Sequence, residues 1–391
     1  MFGHAMRSQW ALDPSVIYLN HGTVGAPPRR VLEFQQRLRE EIERQPSRFL
    51  LRELTETALG AAPSARPRLR VAADAIATFV GAEGKDIAFV DNATTGINAV
   101  LRNFDFREGD ELLILDLAYG AIRNAAEYAT RTRGARARVV EAPDVAGGTS
   151  VFVEAVEREL RPGTRLVLID HITSETAIIL PVAEIAAICH RHGVPVLVDG
   201  AHAPGAIPLD IKSLGVDWYA GNLHKWAWSP RSSGILWIHP DRQPALHHPV
   251  VSWGLDQGFS REFDWPGTRD PTPHLAAPEG IAYMNELGTR SVQRYNHELA
   301  WQAGTTMAAH WESRLLAPES AIGTMISVPM PERLGSTPED AQRLRDSLLF
   351  EDHIEVQISA RRNRLLARIS AQIYNDMSDV EKFIAAIDLR L

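Results

Sequence analysis

The chain has 391 residues, of which 45% are hydrophobic and 23% are charged, enough for about two or three ordinary globular domains. Its formal net charge of −8 argues against a nucleic-acid-binding protein, because such proteins usually carry a surplus of lysine and arginine. The single cysteine excludes an internal disulfide and is typical of a reducing compartment.

Residues 1–13 contain no apolar run long enough for the core of a signal peptide. No stretch approaches the roughly 20 apolar residues that a membrane-spanning helix needs. We therefore expect a cytoplasmic protein that binds neither a membrane nor nucleic acid.

Short apolar runs alternate with longer amphipathic runs in the middle of the chain. The apolar runs predict buried strands at residues 86–90, 112–115, 165–169, 195–198 and 234–238. The amphipathic runs between them predict helices, among them residues 120–132, 151–160 and 182–192. Strands without polar alternation, separated by helices, are typical of an α/β fold whose largely parallel sheet is covered on both faces.

The pattern changes after about residue 268. Helical patterns at 279–287 and 291–311 lead to strand-like pieces at 321–328, 355–358 and 366–370. This change predicts a smaller α+β domain over residues 268–391, after a large domain over residues 31–267. Residues 1–30 are predicted to pack near the functional site and the small domain.

An acidic residue, Asp199, follows the predicted strand 195–198. Ligands of open α/β sheets sit beyond the carboxyl ends of the strands, and a carboxylate there is costly unless a cation compensates it. The residue could cap a helix or form an ion pair at the edge of the sheet. It could also face a protonated ring nitrogen, which would make the ring a strong electron sink.

A lysine, Lys225, lies in an unusually aromatic segment with Tyr219, Trp226 and Trp228. Desolvation among these rings would lower the pKa of the amine, as a Schiff-base lysine requires. A lone lysine is otherwise a surface cation. Its distance along the chain from Asp199 allows one crossover back to a neighbouring strand end, so the combination is more specific than either residue alone.

The predicted strand 86–90 is followed by the small, hydroxylated segment 91–98, which opens a helix. Free amides and the positive end of a helix favour a phosphate group, and the hydroxyls of Thr94 and Thr95 would add donors. A threonine helix cap is the alternative. The chain has neither a G-x-G-x-x-G nor a Walker A pattern here, which argues against a dehydrogenase or an ATP site.

Four motifs together resemble the class V aminotransferase superfamily, enzymes of fold type I that use pyridoxal 5′-phosphate (PLP). They are N-A-T-T at 92–95, D-G-A-H at 199–202, G-N-L-H-K at 221–225 and R-I-S at 368–370. The segments 18–25 and 265–272 resemble isopenicillin N epimerase-like proteins, and the likeness runs from about residue 12 to the end. It implies a large PLP-binding domain with a mainly parallel seven-stranded sheet sandwiched by helices, and a smaller C-terminal domain.

The resemblance also implies roles for individual residues at the cofactor. Lys225 would hold PLP as a Schiff base, Asp199 would face the ring nitrogen, and His202 would lie near Asp199 and the phenolic oxygen. Tyr119 would stack on the ring, with a core aromatic as the alternative. The further cofactor contacts that the resemblance implies are Ala93, Thr94, Thr95, Ser174, Asn222 and His224.

Other residues are implied to hold an amino-acid substrate. Arg368 would grip its carboxylate, since a planar guanidinium can form two bonds to it, although a surface ion pair is the alternative. Asn20, His21 and Gly22 would line the substrate side. Thr268 would reach the cofactor phosphate of the other subunit, which implies a homodimer with shared active sites.

The reaction is less specified than the cofactor. Lys225 is expected to remove the proton from Cα, after which epimerisation, loss of a Cβ substituent or transamination can follow. The resemblance favours an epimerase or racemase, with Tyr119 or His21 as the second proton-transfer group; a carbon–sulfur lyase or an aminotransferase is the alternative.

The sequence disfavours two further functions, a non-catalytic scaffold and a cysteine desulfurase. A non-catalytic scaffold would have no reason to keep Lys225, Asp199 and Arg368. A cysteine desulfurase needs a reactive thiol, whereas Cys189 lies in an amphipathic run that predicts a buried, inert position. Glu175 and Arg269 receive no role.

Overall fold

The computed structural model describes residues 2–56, 66–145 and 147–391. In these ranges the strands are β1 Ile17–Tyr18, β2 Ile87–Val90, β3 Glu111–Leu115, β4 Arg136–Val140, β5 Thr164–Asp170, β6 Val196–Gly200, β7 Trp218–Asn222, β8 Gly234–Ile238, β9 Met325–Pro329, β10 Ile354–Glu355, β11 Gln357–Arg361 and β12 Arg364–Ser370. The α-helices are α1 His21–Val24, α2 Arg29–Arg44, α3 Pro46–Arg48, α4 Arg68–Val80, α5 Ala93–Asn103, α6 Gly120–Arg131, α7 Ser150–Glu159, α8 Val182–Arg191, α9 Phe259–Asp264, α10 Thr272–Glu286, α11 Thr289–His310, α12 Pro338–Phe350 and α13 Met377–Asp388.

The large sheet has seven strands in the order β2-β8-β7-β6-β5-β3-β4. Only β8 runs antiparallel to its neighbours β2 and β7, and the other pairs are parallel. Every residue of β2, β3, β6, β7 and β8 is buried, as expected for a sheet covered on both faces. The predicted α/β class and the mainly parallel seven-stranded sheet are confirmed.

Two strands of this sheet were not among the predicted runs. The edge strand β4 carries Arg136 and Arg138, which both bind Glu111 of the adjacent β3. The central strand β7 has the sequence Trp-Tyr-Ala-Gly-Asn, which lacks the branched aliphatic residues that mark the other strands. The aliphatic pattern did not predict these two strands, because their side chains make contacts other than aliphatic packing.

The C-terminal part forms an antiparallel three-stranded sheet in the order β11-β12-β9. Helix α11 packs against β9, and α12 packs against β11. Helix α10 begins at Thr272 rather than near residue 279, because Pro273 occupies its first turn, where proline is tolerated. It packs against α2 and α4, so the domain boundary near residue 268 stays a prediction.

The N-terminal segment lies against the C-terminal part. Strand β1 pairs in parallel with β10, and the amide of Ser370 donates to the carbonyl of Leu19 at 2.8 Å. This arrangement brings α1 to the end of β12. No helix within the described ranges is both long and apolar enough to cross a membrane.

Candidate active site

A cavity of ≈ 430 Å³ opens at the carboxyl ends of strands β5, β6 and β7 and at the start of α5. This is the edge at which open α/β sheets bind ligands. The residues that line it are Thr23, Asn92, Ala93, Thr94, Thr95, Tyr119, Asp170, Ile172, Ser174, Asp199, Ala201, His202, Asn222, His224 and Lys225. Ten of these fifteen residues were predicted site residues, so the fold gathers most of the predicted set in one place.

The lysine of the cavity follows strand β7 in a tight turn, in which the amides of Leu223 and His224 both donate to the carbonyl of Ser233. Its Nζ lies 3.2 Å from Nε2 of His202. Burial, and then the positive charge of Arg368, lower the pKa of Lys225 to about 7, against the opposing charge of Asp199. Much of the amine is therefore uncharged near neutral pH, so that it can act as a nucleophile or a base.

His21 lies behind this lysine rather than on the cavity wall. Its Nε2 donates to the carbonyl of Lys225 at 2.9 Å, so its Nδ1 accepts from the hydroxyl of Tyr374 at 2.8 Å. Burial lowers the pKa of His21 to about 4, which keeps the ring neutral. Because both ring nitrogens are occupied, the geometry favours a role in fixing the backbone of Lys225.

Two glycines let the N-terminal segment approach the lysine closely. A Cβ on Gly25, whose φ is +67°, would lie 1.8 Å from the carbonyl oxygen of His224. A Cβ on Gly22 would lie 2.5 Å from Sδ of Met325. Gly22, expected on the substrate side, is thus a packing position, and Gly25 is needed where the segment crosses the lysine turn.

The acid of the cavity, Asp199, lies near the end of β6 and is 4% exposed. One of its carboxylate oxygens accepts from the amide of Ala201 at 3.0 Å. Burial raises the pKa of Asp199, while the Ala201 amide and the charge of Lys225 oppose the shift. Among the residues that the structure describes it forms no ion pair, and a buried acid of this kind suits a cationic ligand atom.

The start of α5 has two of its amides occupied. The side chain of Asn92 accepts from the amide of Thr95 at 2.9 Å and so caps the helix. The side chain of Asn222, from β7, accepts from the amide of Ala93 at 2.8 Å. Asparagine, not threonine, is thus the cap, and the hydroxyls of Thr94 and Thr95 belong to the wall of the cavity.

His224 stands beside these groups. Its Nδ1 donates to the carbonyl of Ser233 at 2.9 Å. Burial lowers the pKa of His224 to about 4. His202, next to Lys225, is also neutral, because burial holds the pKa of His202 well below its usual value.

Arg368 is 3% exposed and lies one layer behind the cavity wall. Its Nη1 donates to the carbonyl of Ser174 at 2.6 Å, and its Nη2 donates to Oγ1 of Thr23 at 2.7 Å. A longer bond of 3.3 Å joins Nη2 to Oδ1 of Asn20. Burial lowers the pKa of Arg368 to about 10.

The partners of Arg368 are all neutral, and no carboxylate in the described ranges forms an ion pair with it. Its Nε is buried without a hydrogen-bond partner. A buried cation of this kind is costly unless an anion compensates it. Since Thr23 and Ser174 both line the cavity, an anionic substrate group there would lie close to this guanidinium.

The remaining predicted residues are more dispersed. Tyr119, at the start of α6, lines the cavity with 49% of its surface exposed. Asn20 donates to Glu355 at 2.6 Å and holds Arg368 rather than forming the wall. Thr268 is exposed and does not belong to the cavity of its own chain.

The cysteine lies far from this chemistry. Cys189 is fully buried on α8. Burial raises the pKa of its thiol to about 12, so the thiol stays protonated and unreactive. The predicted core position is confirmed.

Sequence reasoning missed Thr23 and Asp170. Thr23 lies inside the motif at 18–25, but nothing local shows that its hydroxyl binds Arg368. Asp170 is the last residue of β5, and Asp199 lies at the corresponding end of β6. The rule that led to Asp199, which is to inspect the residues at strand ends, also leads to Asp170.

A model of the aminotransferase class V family matches residues 61–383. This match spans most of the chain. The chain belongs to the class V aminotransferase family. The cofactor of this class V enzyme is PLP.

The proteins that this chain is similar to carry different activities in their names. An L-cysteine desulfhydrase of Arabidopsis thaliana is 30% identical, with 95% of this chain and 87% of that protein aligned. An isopenicillin N epimerase of Streptomyces clavuligerus is also 30% identical, over 98% and 96% of the two chains. A cysteine desulfurase of Thermococcus onnurineus has the same fold, with a TM-score of 0.80 at 20% identity over 100% and 98% of the chains.

The residues of the cavity fit PLP. Lys225 offers a largely uncharged amine to the aldehyde, and the buried carboxylate of Asp199 suits a protonated ring nitrogen. Thr94, Thr95 and the start of α5 offer hydroxyl and amide donors to the phosphate. PLP, when bound, supplies a protonated ring that stabilises the negative charge formed at Cα of an amino acid.

Proposed function

We propose that this class V enzyme is a PLP-dependent carbon–sulfur lyase acting on L-cysteine or a cysteine derivative. The observation that carries the proposal is the distribution of proton-transfer groups around the cavity. Lys225 lines the cavity, its pKa is lowered to about 7, and the positive charge of Arg368 contributes to this lowering. Elimination needs a single base at Cα, which the same lysine can provide.

We assign the other titratable groups of the cavity to the cofactor or to supporting contacts rather than to proton transfer at Cα. Asp170 and Asp199 lie at the ends of β5 and β6, and His202 contacts Lys225 itself. His224 is tied to Ser233. Among the described lining residues, this leaves only Tyr119 as a second proton-transfer group for a mechanism that inverts Cα.

The proposed steps follow from these positions. Arg368 compensates the substrate carboxylate, and the amine of Lys225 takes the proton from Cα. The Cβ–S bond then breaks with its electron pair on sulfur, and the sulfur receives the proton that Lys225 holds. The released enamine reacts with water, so that L-cysteine and water give pyruvate, ammonia and hydrogen sulfide.

The Arabidopsis relative supports this reaction class, since it is an L-cysteine desulfhydrase. The buried Cys189 disfavours a desulfurase, which would need a thiolate to accept sulfur. Epimerisation is the second candidate, favoured by the Streptomyces relative and by the place of Tyr119 at the cavity. Transamination is the third outcome of the same first step.

The test is product analysis with the holoenzyme. With L-cysteine we expect sulfide, pyruvate and ammonia in equal amounts, and Tyr119→Phe, which keeps the ring but not the hydroxyl, should still eliminate. Amino acids without a sulfur substituent, incubated in deuterium oxide, serve as the control. Deuterium at Cα with inversion and no sulfide would instead establish an epimerase, and keto-acid formation with retained sulfur would establish an aminotransferase.

We also infer a homodimer with shared active sites. Thr268 is exposed and outside its own cavity, and the nearby segment 250–255 exposes Val250, Val251 and Trp253, with Trp253 68% exposed. Large exposed apolar side chains in one segment are typical of a protein interface.

Subunit mixing tests this inference. Lys225→Ala and Thr268→Ala subunits should each be impaired alone. In their heterodimer one site carries both defects and the other carries none, so activity should return on mixing. A mixture no more active than its components would contradict sharing of Thr268.

A further inference from the structure

Two aspartates end neighbouring strands at the same level of the sheet. Asp170 of β5 is the register partner of Asp199 of β6. Adjacent strands lie about 4.8 Å apart, and in-register residues of a parallel pair point to the same face. Both residues line the cavity, and they are only 3% and 4% exposed.

The two carboxyl groups have unequal surroundings. Asp199 accepts from the amide of Ala201 and faces Lys225. Asp170 accepts from no side chain in the part of the chain that the structure describes. The charged groups that face it are Asp199 from β6, Arg123 from α6 and Glu175 from the turn after β5.

In the described ranges Arg123 does not form an ion pair with Asp170, so the burial of this carboxyl group is compensated only in part. Burial, then the negative charge of Asp199, raise the pKa of Asp170 well above its usual value, and the backbone amide of Asp170 and the charge of Arg123 oppose this only in part. When two carboxyl groups share a poorly hydrated site, ionisation of one raises the pKa of the other. The pair therefore titrates as a unit.

We propose that Asp170 shares one proton with Asp199, so that the pair presents a single negative charge to the ring nitrogen of PLP. Asp170 is then a positioning residue, because its O–H is the donor available to the Asp199 oxygen that the Ala201 amide does not occupy. A doubly ionised pair would place two negative charges against one cationic ring. This role holds equally for elimination and for epimerisation, since both begin with the same proton removal.

Infrared spectroscopy of the holoenzyme tests the shared proton directly. The wild-type protein should show the carbonyl stretch of a buried, protonated carboxyl group at neutral pH, and Asp170→Asn should lack it. Asp86→Asn is the matched control, because Asp86 is also 4% exposed but binds Gln243 away from the cavity. The band should persist in that control.

The absorbance of bound PLP provides a second readout. In the wild-type and Asp86→Asn proteins, loss of the shared proton at alkaline pH should add one spectral transition that Asp170→Asn lacks. Asp170→Leu cannot donate a hydrogen bond, so at neutral pH it should shift the absorbance maximum more than Asp170→Asn does. Two infrared results would overturn the proposal. One is a wild-type infrared spectrum that lacks the carboxyl band at neutral pH, a result that needs no variant. The other is a carboxyl band that persists in Asp170→Asn.

Discussion

Two buried arginines of this enzyme differ in what compensates their charge. Arg70 is 5% exposed and its Nη2 donates to Asp264 at 2.5 Å. Arg368 is 3% exposed, and its hydrogen-bond acceptors among the described residues are neutral oxygen atoms. If a substrate carboxylate is the missing anion of Arg368, removal of each arginine will affect a different property.

The size of the effect at Arg368 assumes that a substrate carboxylate replaces the neutral oxygen atoms of Ser174 and Thr23 as an acceptor of the guanidinium. Hydrogen bonds to charged groups contribute about 1.5–3 kcal/mol each. We expect Arg368→Ala to weaken substrate binding by about 2–3 kcal/mol, which corresponds to an increase in KM of about 30- to 140-fold. Arg368→Lys keeps the charge but not the planar fork, so it should recover only part of this loss.

Arg70→Ala is the matched control. It leaves the carboxylate of Asp264 buried and unpaired, so the free energy of unfolding should fall by about 3–5 kcal/mol while KM stays unchanged. The unfolding free energy of Arg368→Ala should fall less, because Arg368 forms no ion pair in the described ranges and its removal leaves no carboxylate without an ion-pair partner. The measurements are steady-state kinetics and urea unfolding of both variants. An unchanged KM of Arg368→Ala for every accepted amino acid would refute the assignment.

Three further predictions concern the lysine turn and the cysteine. Gly25→Ala should lower both Tm and PLP content, because its Cβ would overlap the carbonyl of His224; full PLP occupancy in that variant would contradict the proposed close approach. The rate of PLP binding to the apoenzyme should rise about tenfold per pH unit below 7 and level off above it, since the pKa of Lys225 is lowered from 10.5 to about 7 and only the uncharged amine reacts; stopped-flow absorbance would show a continued rise to pH 10 if the shift were absent. Cys189→Ala should leave sulfide release from L-cysteine unchanged, and a loss of activity without loss of stability would imply a reactive thiol.

The sequence predicted the strands that consist mainly of aliphatic side chains packed in the core. Aliphatic runs such as those of β5 and β6 need no partner information to be identified. Strand β7 was not predicted, because its aromatic and polar residues line the cavity or pack in the core and form no aliphatic run. Strand β4 was not predicted, because its arginines bind Glu111 of the adjacent strand. A local sequence pattern does not show that contact.

At the site, motifs identified the residues that line the cavity better than the residues that support them. Asp199, Lys225 and the start of α5 could be predicted from strand ends and helix chemistry. The position of His21 behind Lys225 depends on Tyr374, more than 350 residues along the chain. Contacts of that span are set by the packing of α1 against the C-terminal sheet, so a sequence pattern alone could not place His21.

The link between Lys225 and PLP is open to an unusually clear test, because the chain contains only four lysines. The other three, Lys85, Lys212 and Lys382, are exposed. The measurement is borohydride reduction of the PLP-loaded enzyme followed by peptide mass spectrometry. We predict a phosphopyridoxyl group on the peptide that contains Lys225, whereas a label confined to the exposed lysines would contradict the assignment of the active site.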